Sequence, residues 1–142
     1  YTTKDIYQEF VPLSKEMQFI NNFIALQKLR LKNPELIVFH CVGNFENKKI
    51  APLLLIVFIE NAFKHGKKIN TKGIDISISC NNSELTLKVK NCFDPKTEVE
   101  DSGTGLENVK KRLDILYKEN YTLKIVTDTL NKLFLVELKL SF

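Results

Sequence analysis

The stretch APLLLIVFIENAFKHG, residues 51–66, is the most apolar segment of the chain. Its apolar residues lie on nearly every side of a helix for two turns, which predicts a helix over 52–66 that is buried on more than one side. Pro52 suits the first helical position and Gly66 the C-terminal end. The uninterrupted apolar part ends at Ile59, well short of the roughly 20 residues that span a bilayer. We therefore expect a core helix.

Polar residues interrupt this helix in its last turns. Glu60 and Asn61 follow directly after Ile59; Asn61 and His65 share one face, and Glu60 and Lys64 share the adjacent one. One interpretation is a turn that surfaces, with Glu60 and Lys64 as an exposed ion pair and His65 interacting with the helix dipole. The other is a cleft, in which the amide oxygen of Asn61 binds a hard cation such as Mg²⁺.

A second unusual stretch is GTGLEN, residues 103–108. Gly103 and Gly105 permit close approach of the backbone to a ligand, and Leu106 opens a helix whose free N–H groups suit an anion. An ordinary loop-to-helix turn explains the same pattern. Starting from Asp101, the residues also match a template in which a carboxylate recognises the ligand. The residues alone leave these alternatives open.

The rest of the chain alternates between helical and strand patterns. A helix starting at Ser14 is followed by the helix over 52–66, and an apolar stripe predicts a third helix over 105–117. Asn81-Asn82 is predicted to form a hairpin turn. Strands are predicted in the segments LIVFHCV, IDISISC, ELTLKVKN, YTLKIVT and KLFLVELKL. This order predicts an α+β domain of two layers, with three helices packed on a mostly antiparallel sheet.

Composition limits the classes of protein to consider. The chain has 142 residues, 44% hydrophobic and 27% charged, as expected for one ordinary globular domain. A net charge of +4 without a basic block suits an anionic ligand and does not indicate nucleic acid. Two histidines are too few for a His-rich metal site. Cys41, Cys80 and Cys92 are widely spaced, so we expect small buried hydrophobic residues in a reducing compartment.

Taken together, the two motifs resemble the ATP-binding domain of the GHKL superfamily, and in particular that of LytS-type sensor histidine kinases. The N box of that family is matched by Glu60, Asn61, His65 and Gly66, and its shortened G2 box by Gly103, Gly105, Leu106, Asn108, Arg112 and Leu113. The segment FVPLSKEMQFINNFIALQKLRLKN is similar to the family's connection between phosphoacceptor helix and catalytic domain. The resemblance covers roughly residues 10–142. It implies a two-layer Bergerat sandwich.

The resemblance also implies a ligand arrangement. ATP is expected between the helix 52–66, the loop 92–104 and the helix 105–117, with Mg²⁺ held by Asn61. Glu60 is expected to act as the acid/base or orienting group. Phosphate contacts are expected from the backbone near Gly103, Thr104 and Gly105, from His65 or Lys64, and from Arg112 unless that residue forms an exposed ion pair.

The family's adenine-recognising carboxylate corresponds to Asn91. Asp101 lies about ten residues downstream, where a carboxylate would repel a polyphosphate. We therefore assign GTGLEN to the phosphates and treat Asp101 as a loop residue. The carbonyl of Asn91 can accept a hydrogen bond from the adenine amino group, although without the charge of a carboxylate. Cys92-Phe93 replaces the family's glycine.

The expected function is that of a protein histidine kinase domain. Residues 1–33 are predicted to form a linker and helix, and residues 34–142 the catalytic domain. The absence of a starting Met suggests a piece of a longer protein. His40 is expected to be a core or strand-face residue and His65 belongs to the N box, so the phosphoacceptor histidine is expected upstream.

The resemblance implies several partners and a location. These are ATP, upstream phosphoacceptor and dimerisation helices, a homodimer and a response regulator, on the cytoplasmic side of a bacterial inner-membrane sensor. Two alternatives remain open at this point. One is a GHKL ATPase in which Glu60 activates water, and the other is a non-catalytic nucleotide-sensing or partner-docking module.

Overall fold

The computed structural model describes residues 10–65, 73–92 and 104–142, without the side chains of His65 and Thr104. Its helices are α1 (Leu13–Leu29), α2 (Leu54–His65) and α3 (Thr104–Leu116), with a short 3₁₀ turn at Pro34–Leu36. Its strands are β1 (Val11–Pro12), β2 (Ile37–Gly43), β3 (Lys49–Ile50), β4 (Ile74–Cys80), β5 (Glu84–Cys92), β6 (Tyr121–Asp128) and β7 (Leu133–Ser141).

Five strands form one mixed sheet in the order β2-β4-β5-β7-β6. β2 and β4 are parallel, with Ile37 opposite Ile74, and α2 lies in the crossover that parallel strands require. The other neighbours are antiparallel. The predicted turn between β4 and β5 is confirmed, and the Asn81 side-chain oxygen accepts from the backbone N–H of Ser83 and Glu84. The predicted α+β architecture is confirmed.

A second, two-stranded sheet was not predicted. β1 pairs antiparallel with β3, which puts Val11 opposite Ile50. The backbone N–H of Leu13 then donates to the carbonyl of Lys48 at 2.8 Å. These contacts join the chain entering α1 to the chain entering α2.

All three helices contribute to the hydrophobic core on one face of the five-stranded sheet. β4 alternates buried and more exposed residues along its length, so one of its faces meets the helices. In α1, Leu13, Ile20 and Ile24 are buried in the same core as residues of α2 and β4. The packing is therefore continuous across residue 34, where the domain boundary was predicted. The packing does not test the predicted boundary between residues 33 and 34, which stays a prediction.

The predicted helix limits need two corrections. α2 begins at Leu54 rather than at Pro52, because Pro52 and Leu53 form a turn in which Leu53 has φ 59°. α1 begins at Leu13, with Pro12 before it, rather than at Ser14. Gly66, the predicted end of α2, lies outside the described residues.

The edge position of β2 corrects the prediction for Cys41. All three cysteines are free thiols; Cys80 is buried and Cys92 half-buried, but Cys41 is exposed. His40 is also exposed, so it is a strand-face residue and not a core residue. None of the helices in the described residues is long and apolar enough to cross a membrane.

Candidate active site

The polar end of α2 lies at the border between core and surface. Ile59 and Ala62 are buried, whereas Glu60 and Lys64 are exposed and Asn61 is half-buried. α2 packs against β4, β5 and α3, so much of its surface is covered by these elements. The Glu60–Asn61 corner is thus accessible while its flanking residues are fixed in the core.

Asn91 lies near the end of β5 and is only 2% exposed. Its Nδ2 donates to the carbonyl of Cys92 at 3.1 Å, which leaves Oδ1 as the free acceptor. Within the described part of the chain, this buried oxygen has no hydrogen-bond partner. An unpaired buried acceptor costs about 1–3 kcal/mol, and a ligand amino group would remove that cost. The free acceptor oxygen of Asn91 therefore fits the amino group of adenine, which donates hydrogen bonds.

The first turn of α3 is open to solvent. Among the described residues, no heavy atom would lie within 4 Å of a Cβ atom at Gly105. Leu106 is half-buried, whereas Glu107 and Asn108 are exposed and Val109 is buried. The helix is thus anchored by its apolar stripe, and its N-terminal end has space for an anion. Gly103 and the Thr104 side chain, which were predicted to line this site, lie outside the described residues, as do Asp101 and Phe93.

Arg112 has a protein partner two turns further along α3. Its Nη2 donates to the carbonyl of Pro52 at 2.9 Å, 60 residues earlier in the chain. The exposed ion pair considered for this residue is therefore wrong. The phosphate contact predicted for Arg112 stays a prediction, and the bond to Pro52 gives it a second role.

Two residues near the site were missed in the sequence. Glu16 of α1 is fully buried, and its Oε2 accepts from the backbone N–H of Leu53 at 3.0 Å. The hydroxyl oxygen of Tyr117 accepts from the backbone N–H of Ala51 at 3.0 Å. Burial raises the pKa of Tyr117 above its ordinary value. Glu16 was detectable, because it lies on the apolar face of α1 three residues after Leu13, where a carboxylate requires a donor.

The metal prediction rests on an amide rather than on a cluster of ligands. Among residues 10–65, 73–92 and 104–142, no group of three or more His, Cys, Asp or Glu side chains is arranged to hold a metal ion. Mg²⁺ commonly takes one or two protein oxygens together with substrate phosphates. Asn61 is half-buried near the end of α2, and its amide oxygen is the kind of ligand that such a shared site requires.

Comparison with known sequences gives a consistent set of relatives. The sensor protein LytS of Staphylococcus haemolyticus is 31% identical over an alignment of 122 residues, with 75% of this chain and 21% of that protein covered. LytS of Bacillus subtilis is 26% identical over an alignment of 139 residues, with 85% of this chain and 23% of that protein covered. The chain thus spans about a fifth of the length of these relatives. No family model matches it.

Solved structures share the fold at low identity. The nucleotide-free catalytic domain of histidine kinase ThkA matches with a TM-score of 0.58 and 13% identity, covering 94% of this chain and 97% of that one. The cytoplasmic segment of histidine kinase QseC matches with a TM-score of 0.52 and 15% identity, covering 97% and 82%. The chain is a relative of the LytS sensor proteins and has the fold of histidine kinase catalytic domains.

Proposed function

We propose that this chain binds Mg²⁺-ATP and acts as the catalytic domain of a sensor histidine kinase. The observation that carries the proposal is the packing of α2, whose last turns carry the accessible residues Glu60 and Asn61, against α3, whose first turn is exposed, in a fold shared with histidine kinase catalytic domains. The γ-phosphoryl group of ATP would pass to a histidine that these 142 residues do not supply.

The base would be recognised by Asn91. Its buried Oδ1 is an acceptor in need of a donor, and the bond from Nδ2 to the carbonyl of Cys92 keeps the amide in that orientation. The exocyclic amino group of adenine supplies such a donor. A guanine carbonyl at the same position would face Oδ1 with a second acceptor, so the fixed amide favours adenine.

The phosphates would bind at the first turn of α3 and at the end of α2. The open space at Gly105 admits close approach to backbone N–H groups, which the helix dipole makes favourable for negative charge. Lys64 is exposed and able to reach an anion. We keep His65, Asn108, Gly103 and Thr104 as further proposed contacts.

Asn61 would hold the metal through its amide oxygen, and Glu60 would orient the incoming histidine or accept its proton. When bound, Mg²⁺ supplies neutralisation of phosphate charge. Such positioning and charge stabilisation account for most of the catalysis in phosphoryl transfer.

The whole protein would be a sensor, as its relatives' names suggest. We propose a homodimer in a bacterial inner membrane, with this chain on the cytoplasmic side. The dimerisation helices would carry the phosphoacceptor histidine. A response regulator would then receive the phosphoryl group.

Calorimetric titration of the chain with ATP, with and without Mg²⁺, tests the binding step. We expect binding by the unaltered chain and by Asn82→Ala, an exposed turn amide far from the proposed site, and at least about tenfold weaker Mg²⁺-ATP binding by Asn61→Ala. No heat and no change in melting temperature at millimolar nucleotide would refute the proposal.

Radiolabelled ATP then distinguishes the activities. Transfer to the separately supplied upstream segment of the parent protein supports a kinase. Steady release of phosphate without transfer would indicate an ATPase, and binding with neither result would indicate a nucleotide-sensing module.

A further inference from the structure

Three consecutive residues before α2 are held by side chains of α1, of α3 and of the residue that directly follows α3. The backbone N–H of Ala51 donates to Tyr117, and that of Leu53 donates to Glu16. Between them, the carbonyl of Pro52 accepts from Arg112. We call residues 51–53 the α2 entry turn. Each of these three hydrogen bonds joins a backbone atom of the turn to a side chain at least 37 residues away in the sequence. Distant parts of the chain therefore hold the turn in place.

Glu16 holds the entry turn from α1. Its side chain is fully buried, and Oε2 lies 3.0 Å from the nitrogen of Leu53. Leu53 has φ 59°, a conformation that disfavours a leucine and persists only where neighbours impose it. A carboxylate at the start of a helix is also favourable for the helix dipole and forms a strong charge-assisted bond.

Arg112 holds the same turn from α3. Its Nη2 lies 2.9 Å from the carbonyl oxygen of Pro52. α3 is the helix whose first turn carries Gly105, and α2 is the helix whose end carries Asn61. Arg112 therefore fixes one proposed ligand-binding helix relative to the other.

We propose that Glu16 and Arg112 are positioning residues, which act through the α2 entry turn to set the spacing between α2 and α3 at the nucleotide site. The inference rests on the proposed function. Because Glu16 belongs to α1, a displacement of α1 would reach the nucleotide site through the same turn. β1 and its pairing with β3 tie the start of α1 to the same region.

Calorimetry with Mg²⁺-ATP on folded variants tests the positioning role. Glu16→Leu and Arg112→Met preserve approximate side-chain volume and remove the bonds to the turn. We expect each to weaken binding about tenfold, as for loss of a charged hydrogen bond. Glu16→Gln keeps an acceptor oxygen and should bind within about threefold of the unaltered chain. Lys111→Met, an exposed neighbour with the same loss of charge, is the control and should bind normally.

A double variant separates positioning from direct phosphate contact. If both residues act through the entry turn, Glu16→Leu with Arg112→Met should bind about as weakly as the weaker single variant. Additive losses would instead mean that Arg112 contacts the phosphates directly. All titrations are made well below each melting temperature. Variants that melt earlier but bind as tightly as the unaltered chain would overturn the inference.

The unaltered chain distinguishes this failure from failure of the proposed function. If it binds Mg²⁺-ATP and the variants do also, only the positioning role is refuted. If it does not bind, the proposed function is refuted and this inference with it. Should Glu16→Leu not fold, Arg112→Met and Glu16→Gln still give the comparison.

Discussion

At the scale of single residues, Asn91 combines the burial of a core residue with a polar atom that has no described partner. The amide is buried like a core residue, yet it is polar and its oxygen is not used by the described protein atoms. A residue selected only for packing at this position would be apolar. The unused oxygen therefore supports the proposed ligand contact.

Replacement of Asn91 by Leu should separate stability from binding. Leucine removes the cost of the unpaired Oδ1 and also the bond from Nδ2 to Cys92, so the free energy of unfolding should change by no more than about 1 kcal/mol. Affinity for Mg²⁺-ATP should fall about tenfold. Urea unfolding and calorimetry measure the two effects. Asn91→Asp, which keeps the acceptor, should bind at least as tightly as the unaltered chain. Equal losses of stability and affinity in Asn91→Leu would contradict the assignment.

Tyr117 gives a prediction about alkaline pH. Burial, followed by smaller contributions from its surroundings, holds the pKa of Tyr117 above the value of about 10 that it has when unfolded. The folded chain thus keeps this proton longer, so the contribution to stability is complete below pH 10 and is lost as pH rises through the folded pKa. Tyr117→Phe should cost about 1–2 kcal/mol at pH 8 by leaving the Ala51 N–H without its acceptor.

The difference between Tyr117→Phe and the unaltered chain should therefore shrink above pH 10. Urea unfolding at pH 8, 9, 10 and 10.5 measures it. A constant difference across this range would contradict the prediction.

The polar residues of α2 were recognisable in the sequence because they interrupt an apolar run. Glu60 and Asn61 fall at the border of core and surface as predicted. The partner of Arg112 could not be predicted, since it lies on a turn 60 residues away and no local pattern specifies it.

At the scale of elements, the end of β2 depends on a close backbone approach. Gly43 has φ 117°, and a Cβ there would lie 1.9 Å from the carbonyl oxygen of Cys80 in β4. The backbone N–H of Asn44 donates to that same carbonyl. Only glycine can satisfy both the dihedral angle and the contact.

Gly43→Ala should therefore lower the free energy of unfolding by at least about 2 kcal/mol, since strain and a steric clash add. Urea unfolding, with far-UV circular dichroism to confirm the fold, gives the value. Unchanged stability would contradict the prediction, because it would mean that the backbone of β2 moves away from Cys80 at no cost in free energy.

Gly105→Ala makes the opposite prediction in α3. The added Cβ meets open space, and alanine is the better helix former, so stability should rise by about 0.5–1 kcal/mol. The methyl group would occupy the space proposed for phosphate, so Mg²⁺-ATP affinity should fall several-fold. Lys110→Ala, on the exposed side of the same helix, controls for the change in helix propensity. Normal affinity in Gly105→Ala would remove the first turn of α3 from the proposed site.

Long elements were predictable because their patterns repeat. The apolar stripe of α3 and the alternation in β4 and β5 specify type and approximate limits. β1 and β3 were missed, since strands of two residues contain no period. The start of α2 was misplaced because proline favours a first helical turn, whereas contacts to Leu53 impose a turn there.

At the scale of the whole molecule, ligand binding should appear as added stability. A ligand at 100 times its dissociation constant adds about 2.7 kcal/mol to a chain that binds it only when folded. For a domain of this size, each kcal/mol corresponds to roughly 2–4 °C or more in melting temperature. Mg²⁺-ATP should therefore raise the melting temperature by several degrees, measured by differential scanning calorimetry. Mg²⁺ alone and Asn61→Ala with Mg²⁺-ATP are the controls, and equal shifts in all three would contradict a specific site.

The sequence order of helices and strands was enough to predict the two-layer architecture. It did not determine that β5 lies next to β7, or that α1 shares the core with α2. Such neighbours are set by packing between distant segments. The candidate site residues at the end of α2 and the start of α3 were predicted from the sequence. For the same reason, the side-chain contacts that hold these two helices together were not.

The edge position of β2 has a consequence for handling the protein. In the described part of the chain, β2 is a terminal strand of the sheet, and its sequence IVFHCVG contains no lysine or acidic residue to discourage edge-to-edge pairing. Concentrated samples are therefore expected to self-associate along this strand. Burial and the neighbouring Cys80 raise the pKa of Cys41, which slows its oxidation at neutral pH. Under alkaline storage, intermolecular crosslinks through that thiol would make the association permanent, so a reductant belongs in the buffer.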